Sequence, residues 1–264
     1  MKRTIGCLVV LLLGACGLAA TSATRLEEIA TKDVIPEVRL AAGLALVDYY
    51  AANKTEAELR ELATGGATEA IRRAATLALS RLWIGKDNTY RDLIELVNDP
   101  DQPAALRAAA VDALLEFLIG KEDSTLETLY TLGRTFEARY AGAKAYFFKN
   151  RGKFKPADLE AICLDDANSD GYRKAAAELL AGNYLFPPTT ARSQEELEDQ
   201  AQNGENEYLR YAASQALSTL LIRSDLSEAE LLRKVTSFYL NEAFTEEYKE
   251  AYIRALAARW TAGL

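Results

Sequence analysis

Apolar and small residues recur around a basic residue at seven places along this chain. The phrase reads Val38-Arg39 then Ala41-Ala42, Ile71-Arg72 then Ala74-Ala75, and Leu106-Arg107 then Ala109-Ala110. It continues as Ala138-Arg139 then Ala141-Gly142, Tyr172-Arg173 then Ala175-Ala176, and Leu209-Arg210 then Ala212-Ala213. It ends, degenerate, as Tyr248-Lys249 then Ala251-Tyr252. The basic residues are 33, 35, 32, 34, 37 and 39 residues apart, a period that belongs to stacked two-helix repeats. With each basic residue as position 0, position +7 holds Leu46, Leu79, Leu114, Tyr146, Leu180, Leu217 and Leu256. Positions +2, +3, +6 and +7 lie on one face of a 3.6-residue helix, Ala-rich on one flank and bulky on the other.

A second, shorter helix is predicted upstream of each phrase. Capping boxes, in which a hydroxyl accepts from the N3 amide and a Glu reaches back, read at Thr24…Glu27, Thr55…Glu58, Ser124…Glu127, Ser193…Glu196 and Ser227…Glu230. Thr89…Asp92 is a weaker version, and Pro156 suits a first helical position. Apolar pairs follow each start, among them Leu26/Ile29, Leu59/Leu62 and Leu231/Val235. No segment alternates with the period of a strand. The prediction is an all-α chain, an α-solenoid of about seven helical hairpins.

The Leu-x-x-Leu short helix, the acidic turn and the apolar-Arg-x-x-Ala spacing of the long helix resemble the HEAT-repeat family over roughly residues 25–260. The resemblance implies a structural ladder through Arg39, Arg72, Arg107, Arg139, Arg173 and Arg210, each pairing with an Asp of the turn. Asp33 and Asp101 stand six residues before their arginines, while Gly66 and Gly204 hold the equivalent places in two other repeats.

Composition narrows the class. Nearly half of the 264 residues are hydrophobic and the charges are mixed, as in a folded helical protein. A net charge of −8 argues against nucleic acid as partner, since that affinity rests on neutralising phosphates. Residues 134–155 nevertheless carry Arg134, Arg139, Lys144, Lys149, Arg151, Lys153 and Lys155 against Glu137 alone. Residues 193–207 carry six acids and no base. Each run reads either as a solvated face or, for the basic one, as a docking patch for an anionic partner or lipid head groups.

The N-terminus reads as an export signal. Lys2-Arg3 precedes an apolar stretch, Ile5 to Ala15, too short to span a bilayer. Leu13-Gly14-Ala15-Cys16 resembles the bacterial lipoprotein signal, which implies cleavage after residue 15 and a lipid anchor on Cys16. The alternative is ordinary secretion with a signal of residues 1–23; on either reading the repeat domain spans 24–264. Cys163 then stands alone and pairs with no other cysteine in the chain, a small buried apolar residue by its position in a short helix.

Catalytic signals are sparse. The chain has no His, which removes His-based triads and His ligands, and no Gly-rich phosphate loop. Asp166, Asn168 and Asp170, followed by Gly171, match the first half of a calcium loop, but its twelfth position is Ala177. The same residues suit an ordinary turn, with Asp170 capping the next helix. Trp83 and Trp260, both at position +11, read as packing between repeats. The function expected from these features is a non-catalytic, exported, lipid-anchored scaffold with a concave face for a protein partner. The alternatives are an enzyme or lyase-like chaperone on the same scaffold, or a self-associating envelope protein.

Overall fold

The computed structural model describes residues 22–84, 86, 90–186, 191–241, 243–262 and 264. The N-terminal segment read as an export signal, Cys16 and Thr89 lie outside them. Among the described residues there are fifteen α-helices and one 3₁₀ turn, with no strand. Short helices are α1 (Ala23–Lys32), α4 (Glu56–Gly65), α6 (Tyr90–Asn98), α8 (Asp123–Leu132), α10 (Pro156–Leu164), α12 (Gln194–Asn203) and α14 (Glu228–Tyr239). Long helices are α5 (Glu69–Trp83), α7 (Ala104–Ile119), α9 (Phe136–Lys149), α11 (Asp170–Leu185), α13 (Glu207–Arg223) and α15 (Glu246–Thr261). The first long helix is broken at Leu46 into α2 (Pro36–Ala45) and α3 (Val47–Asn53).

Each short helix packs on the long helix that follows it, and each long helix packs on the next. Small residues make that approach close. Ala41, Ala74, Ala109, Ala141, Ala175, Ala212 and Ala251, all at position +2, are buried. Gly171 shows how tight the seam is: a Cβ there would stand 2.7 Å from the Tyr140 backbone nitrogen of α9. The bulky +7 side chains fill the space behind, and the first Leu of every short helix, from Leu26 to Leu231, is buried against them.

A linear stack keeps its ends apart. Here α15 packs against α2, as each long helix packs against its successor. The short helices obey the same rule: α1 touches α5, α4 touches α7, α12 touches α15, and α14 touches α2. The seven long segments therefore form a closed inner ring, with the short helices outside.

The helix starts follow capping chemistry, with two shifts from the sequence reading. Thr55, Ser193 and Ser227 make full capping boxes with Glu58, Glu196 and Glu230. Helix α1 is capped by Ser22 rather than Thr24, and α8 starts after Glu122 rather than Ser124. Long helices are capped at position −4 by Thr68, Thr135, Ser169, Asn206 and Thr245. Asp170 is one residue inside α11 and pairs with Arg173 at 3.0 Å instead of capping. Four of these caps also reach back to the short helix of the preceding pair: Thr68 donates to the Ala30 carbonyl of α1 at 2.8 Å, Asn206 to Cys163 of α10 at 2.7 Å and Thr245 to Ala201 of α12 at 2.9 Å. Thr135 does the same to Val97. One side chain thus ends two sets of orphan backbone groups.

Candidate functional site

The basic ladder is built on carbonyls, not carboxylates. Arg39, Arg72 and Arg139 donate to the backbone oxygens of Asp33, Gly66 and Gly133 at 2.7, 2.8 and 2.9 Å. Arg210 donates to Gly204 at 3.3 Å. Every residue has a carbonyl, so Gly serves the turn as well as Asp. Arg107 takes the Gln102 carbonyl, and Arg173 uses the carboxylates of Asp166 in the turn and Asp170 at the helix start, where Arg72 likewise meets Glu69 at 3.1 Å. Between neighbouring long helices the ladder links position 0 to position −2 of the next: Arg107 to Glu137 at 2.9 Å and Arg210 to Glu247 at 3.4 Å. Arg173 stacks over the Tyr208 ring in that register.

Closure of the ring turns a different face of each long helix inward, positions +1 and +5. Position +1 supplies Arg73, Ala108, Tyr140, Lys174, Tyr211 and Glu250; position +5 supplies Leu44, Leu77, Asp112, Lys144, Glu178, Gln215 and Arg254. All seven long segments line one cavity of about 950 Å³. Leu44, Val47, Leu77, Val111 and Leu115 bring apolar side chains from α2, α3, α5 and α7, interspersed with Arg73, Arg81, Asp112 and Glu116; Glu137, Tyr140, Lys144, Lys174, Glu178, Tyr211 and Arg254 make a polar side on α9, α11, α13 and α15.

Two networks cross the polar side. Glu178 accepts from the Tyr140 hydroxyl, from Tyr211 at 3.0 Å and from Lys144 at 3.1 Å. Lys144 also holds Asp112 at 2.7 Å. Burial opposes the Lys144 charge, but Glu178 and Asp112 outweigh it and raise its pKa. Burial, with Glu178 beside them, pushes both phenols up. In the second network Glu250 bridges Arg73 and Arg254, with contacts at 3.0 and 2.7 Å. Burial would raise the Glu250 carboxyl, yet the two guanidiniums hold it below the ordinary range. Arg254 also donates to Gln215 Oε1 at 2.7 Å.

Lys174 belongs to neither network. Its ammonium stands 5.0 Å from the Tyr140 ring and 5.5 Å from those of Phe136 and Tyr211. No ion pair holds it among the described residues, and burial lowers its pKa. The Gln215 Nε2 donor is buried without a partner. No protein-family model matches this chain, and neither does any curated protein or solved structure.

The basic run of residues 134–155 does not form one patch. Arg139 serves the ladder and Lys144 the lumen. Lys149 binds Asp123 at 2.9 Å, with Lys153 at 4.0 Å from the same carboxylate. Arg134, Arg151, Lys153 and Lys155 are exposed. Arg151 lies 5.2 Å over the ring of Phe148, which is itself exposed.

At the loop of Asp166, Asn168 and Asp170 the side chains turn on their own surroundings. Both carboxylates meet Arg173, and Asn168 donates to Asp165 and to the Ile162 carbonyl. Among the described residues no group of three His, Cys, Asp or Glu is placed to hold a metal ion. Cys163 is buried, with its thiol pushed up to about 12 by burial.

Position +11 carries bonds within a pair rather than between pairs. Trp260 donates to Glu228 at 2.9 Å, Tyr184 to Glu160 at 3.2 Å, Trp83 to Glu56 and Tyr50 to Glu27. Each acid lies on the short helix of the same pair, Glu56 and Glu228 at its first residue and Glu27 and Glu160 near its middle.

Proposed function

We propose that this chain is an exported, lipid-anchored HEAT-like binding protein, non-catalytic, that takes a small ligand into its lumen. Its seven helix pairs are read as HEAT-like repeats bent until the ends meet. The observation that carries the reading is Lys174, a part-buried cation beside three aromatic rings and in no ion pair among the described residues, on the wall of a cavity whose size is that of a ligand pocket. Two further features support binding over catalysis. Asp112, Glu178 and Glu250 are each engaged by a cation or phenol, and Cys163 lies away from the lumen with its thiolate disfavoured. The ring leaves no long open groove, so a protein partner belongs to a second reading, on the outer surface. The exposed Phe148, stacked with Arg151 beside Lys153, favours that surface.

Mass spectrometry of small molecules released by denaturing the full-length protein tests the first reading, with Leu77→Trp as the filled-lumen control. A compound retained at near-stoichiometric amount by wild type and absent from the variant supports it. Equal recovery from both, or none from either, overturns it and moves weight to the outer surface. The anchor has its own test: an intact mass carrying the lipid, lost in Cys16→Ala.

A further inference from the structure

The loop from α9 to α10 divides its aromatic residues between inside and outside. Phe147 is buried, and Phe154 packs on it with ring centroids 4.9 Å apart. Asn150, also buried, donates to the Tyr146 carbonyl at 3.0 Å, and its own carbonyl accepts the Lys153 amide at 2.8 Å. These contacts fix the 3₁₀ turn Arg151–Lys153 on the surface. Phe148 is left outside, 46% exposed, beneath the Arg151 guanidinium. The tip is open: a Cβ on Gly152 would meet nothing within 4 Å.

Lys149, Arg151, Lys153 and Lys155 stand here against two carboxylates, Asp123 and Asp158. Lys149 takes Asp123 at 2.9 Å, and Asp158 accepts the Lys155 backbone amide at 3.0 Å, where α10 starts. Lys121 and Glu122 of the preceding loop cancel, so the loop keeps an excess of positive charge. Glu195 and Glu196 open α12 one pair further on, and the positive surface ends there. Long cations around an exposed ring on an open tip suit a fluid anionic surface: the ring enters the head-group layer and the side chains follow the phosphates.

The loop also stands at the end of the ring nearest the lipid. Loops that leave long helices gather at one end: Lys149 donates to the Lys121 carbonyl at 2.6 Å, and Arg259 to the Ile222 carbonyl at 3.0 Å, each across neighbouring loops. Short helices start at that same end, α1 among them, with Ser22 as its cap. Cys16 stands six residues before Ser22, at most about 20 Å of extended chain, so a lipid there holds this end at the membrane. The first pair and the α9–α10 loop lie on opposite sides of the ring. Tethering raises the effective concentration of bilayer at the loop, so a weak patch suffices as a second attachment. We infer that the α9–α10 loop is a membrane-contact point, with Phe148 in the interfacial layer of an anionic bilayer and Arg151, Lys153 and Lys155 on its phosphates. The ring then stands end-on, held on one side by the lipid and on the other by the loop. This rests on the anchor reading above and not on the lumen.

Spin labels at Gly152→Cys and, at the opposite end, Leu132→Cys test this on the lipidated protein reconstituted into phosphatidylcholine vesicles with and without phosphatidylglycerol. Leu132 is 75% exposed, and the buried Cys163 takes no label. On anionic vesicles the label at 152 is expected to lose collisions with a water-soluble nickel complex and gain them with oxygen, while the label at 132 stays in water. Each cation at an anionic surface is worth about fivefold in partition, so Arg151→Gln with Lys153→Gln is expected to lower the docking constant about 25-fold and return the label to water. Salt at about 0.5 M is expected to act in the same direction without any substitution. A label at 152 that stays in water on a lipidated, vesicle-bound chain overturns the loop contact and leaves the anchor standing. An intact mass without lipid overturns the anchor, and the end-on arrangement with it. Equal protection on vesicles with and without phosphatidylglycerol overturns the role of the cations. Protection in native membranes but not in pure lipid overturns the bilayer contact and assigns the loop to a membrane protein.

Discussion

Lys249 on α15 meets Glu37 on α2 at 3.6 Å, joining the last long helix to the first. The pair stands in the register of Arg107–Glu137 and Arg210–Glu247, position 0 to position −2 of the next long helix. The ends of the chain thus meet through the same contact that joins internal neighbours, and the lumen exists because they do.

Replacing Lys249 by Met is expected to destabilise the fold. Both partners are little exposed, at 11% and 12%, so the loss falls between that of an exposed and a buried pair, about 2 kcal/mol. Glu246 also holds Lys249, at 2.8 Å. A double-mutant cycle of Lys249→Met with Glu37→Gln in urea separates the two. Additive losses would show that the closing pair does not couple the ends.

Glu250 should dominate the acid limb of stability. Its carboxyl is held low in the fold by Arg73 and Arg254, against burial. A group with a depressed folded pKa stabilises above its unfolded value, about 4.3, and that stabilisation is lost as pH falls through the folded one. Glu250→Gln leaves two guanidiniums facing an amide and is expected to cost about 3 kcal/mol at pH 7. The gap between variant and wild type should narrow below pH of about 4. A gap that stays constant down to pH of about 2 contradicts the assignment.

Gly171→Ala should loosen the seam between α9 and α11. The added methyl meets backbone, which cannot swing aside as a side chain would. The expected cost is about 1–3 kcal/mol by thermal or chemical unfolding. An unchanged midpoint would show that the two helices are farther apart than described.

Cys163 should be protected from thiol reagents in the native state. Its thiol is buried and raised to about 12, so little thiolate exists at pH 8 and none of it is accessible. Peptide mapping after maleimide treatment is expected to find Cys163 modified only when denaturant is present. Rapid native labelling would place α10 wrongly.

The repeat phrase made the core legible. Ala at +2 and the bulky residue at +7 pack as the periodicity implies, because burial of a helix face is written into every repeat. The capping boxes at Thr55, Ser193 and Ser227 were legible for the same reason: their partners lie three residues away. The lumen was not. Arg73 and Glu250 are 177 residues apart, and each alone looks like one more charge on a solvated helix face. Only closure brings them together, and closure depends on the rotation from pair to pair, which no single repeat encodes. The −4 caps of the long helices, Thr68, Thr135, Asn206 and Thr245, carry no capping-box mark, since Ile71, Ala138, Leu209 and Tyr248 stand where a capping box has its Glu or Gln. The ladder was misread in its chemistry: an Asp in the turn suggests a carboxylate partner, while the bond is made to a carbonyl that any residue supplies.

The distance between the ends of the chain tests ring closure most directly. Spin labels at Val34, just before α2, and Glu246, at the start of α15, sit on exposed sites, and pulsed electron–electron resonance reads their separation. Helices of adjacent pairs in contact predict one narrow distribution below about 25 Å, since packed helix axes lie about 8–10 Å apart and the labels add their own reach. An open stack takes six such steps from the first long helix to the last, about 50–60 Å. A distribution centred there would contradict the closed ring, and with it the lumen.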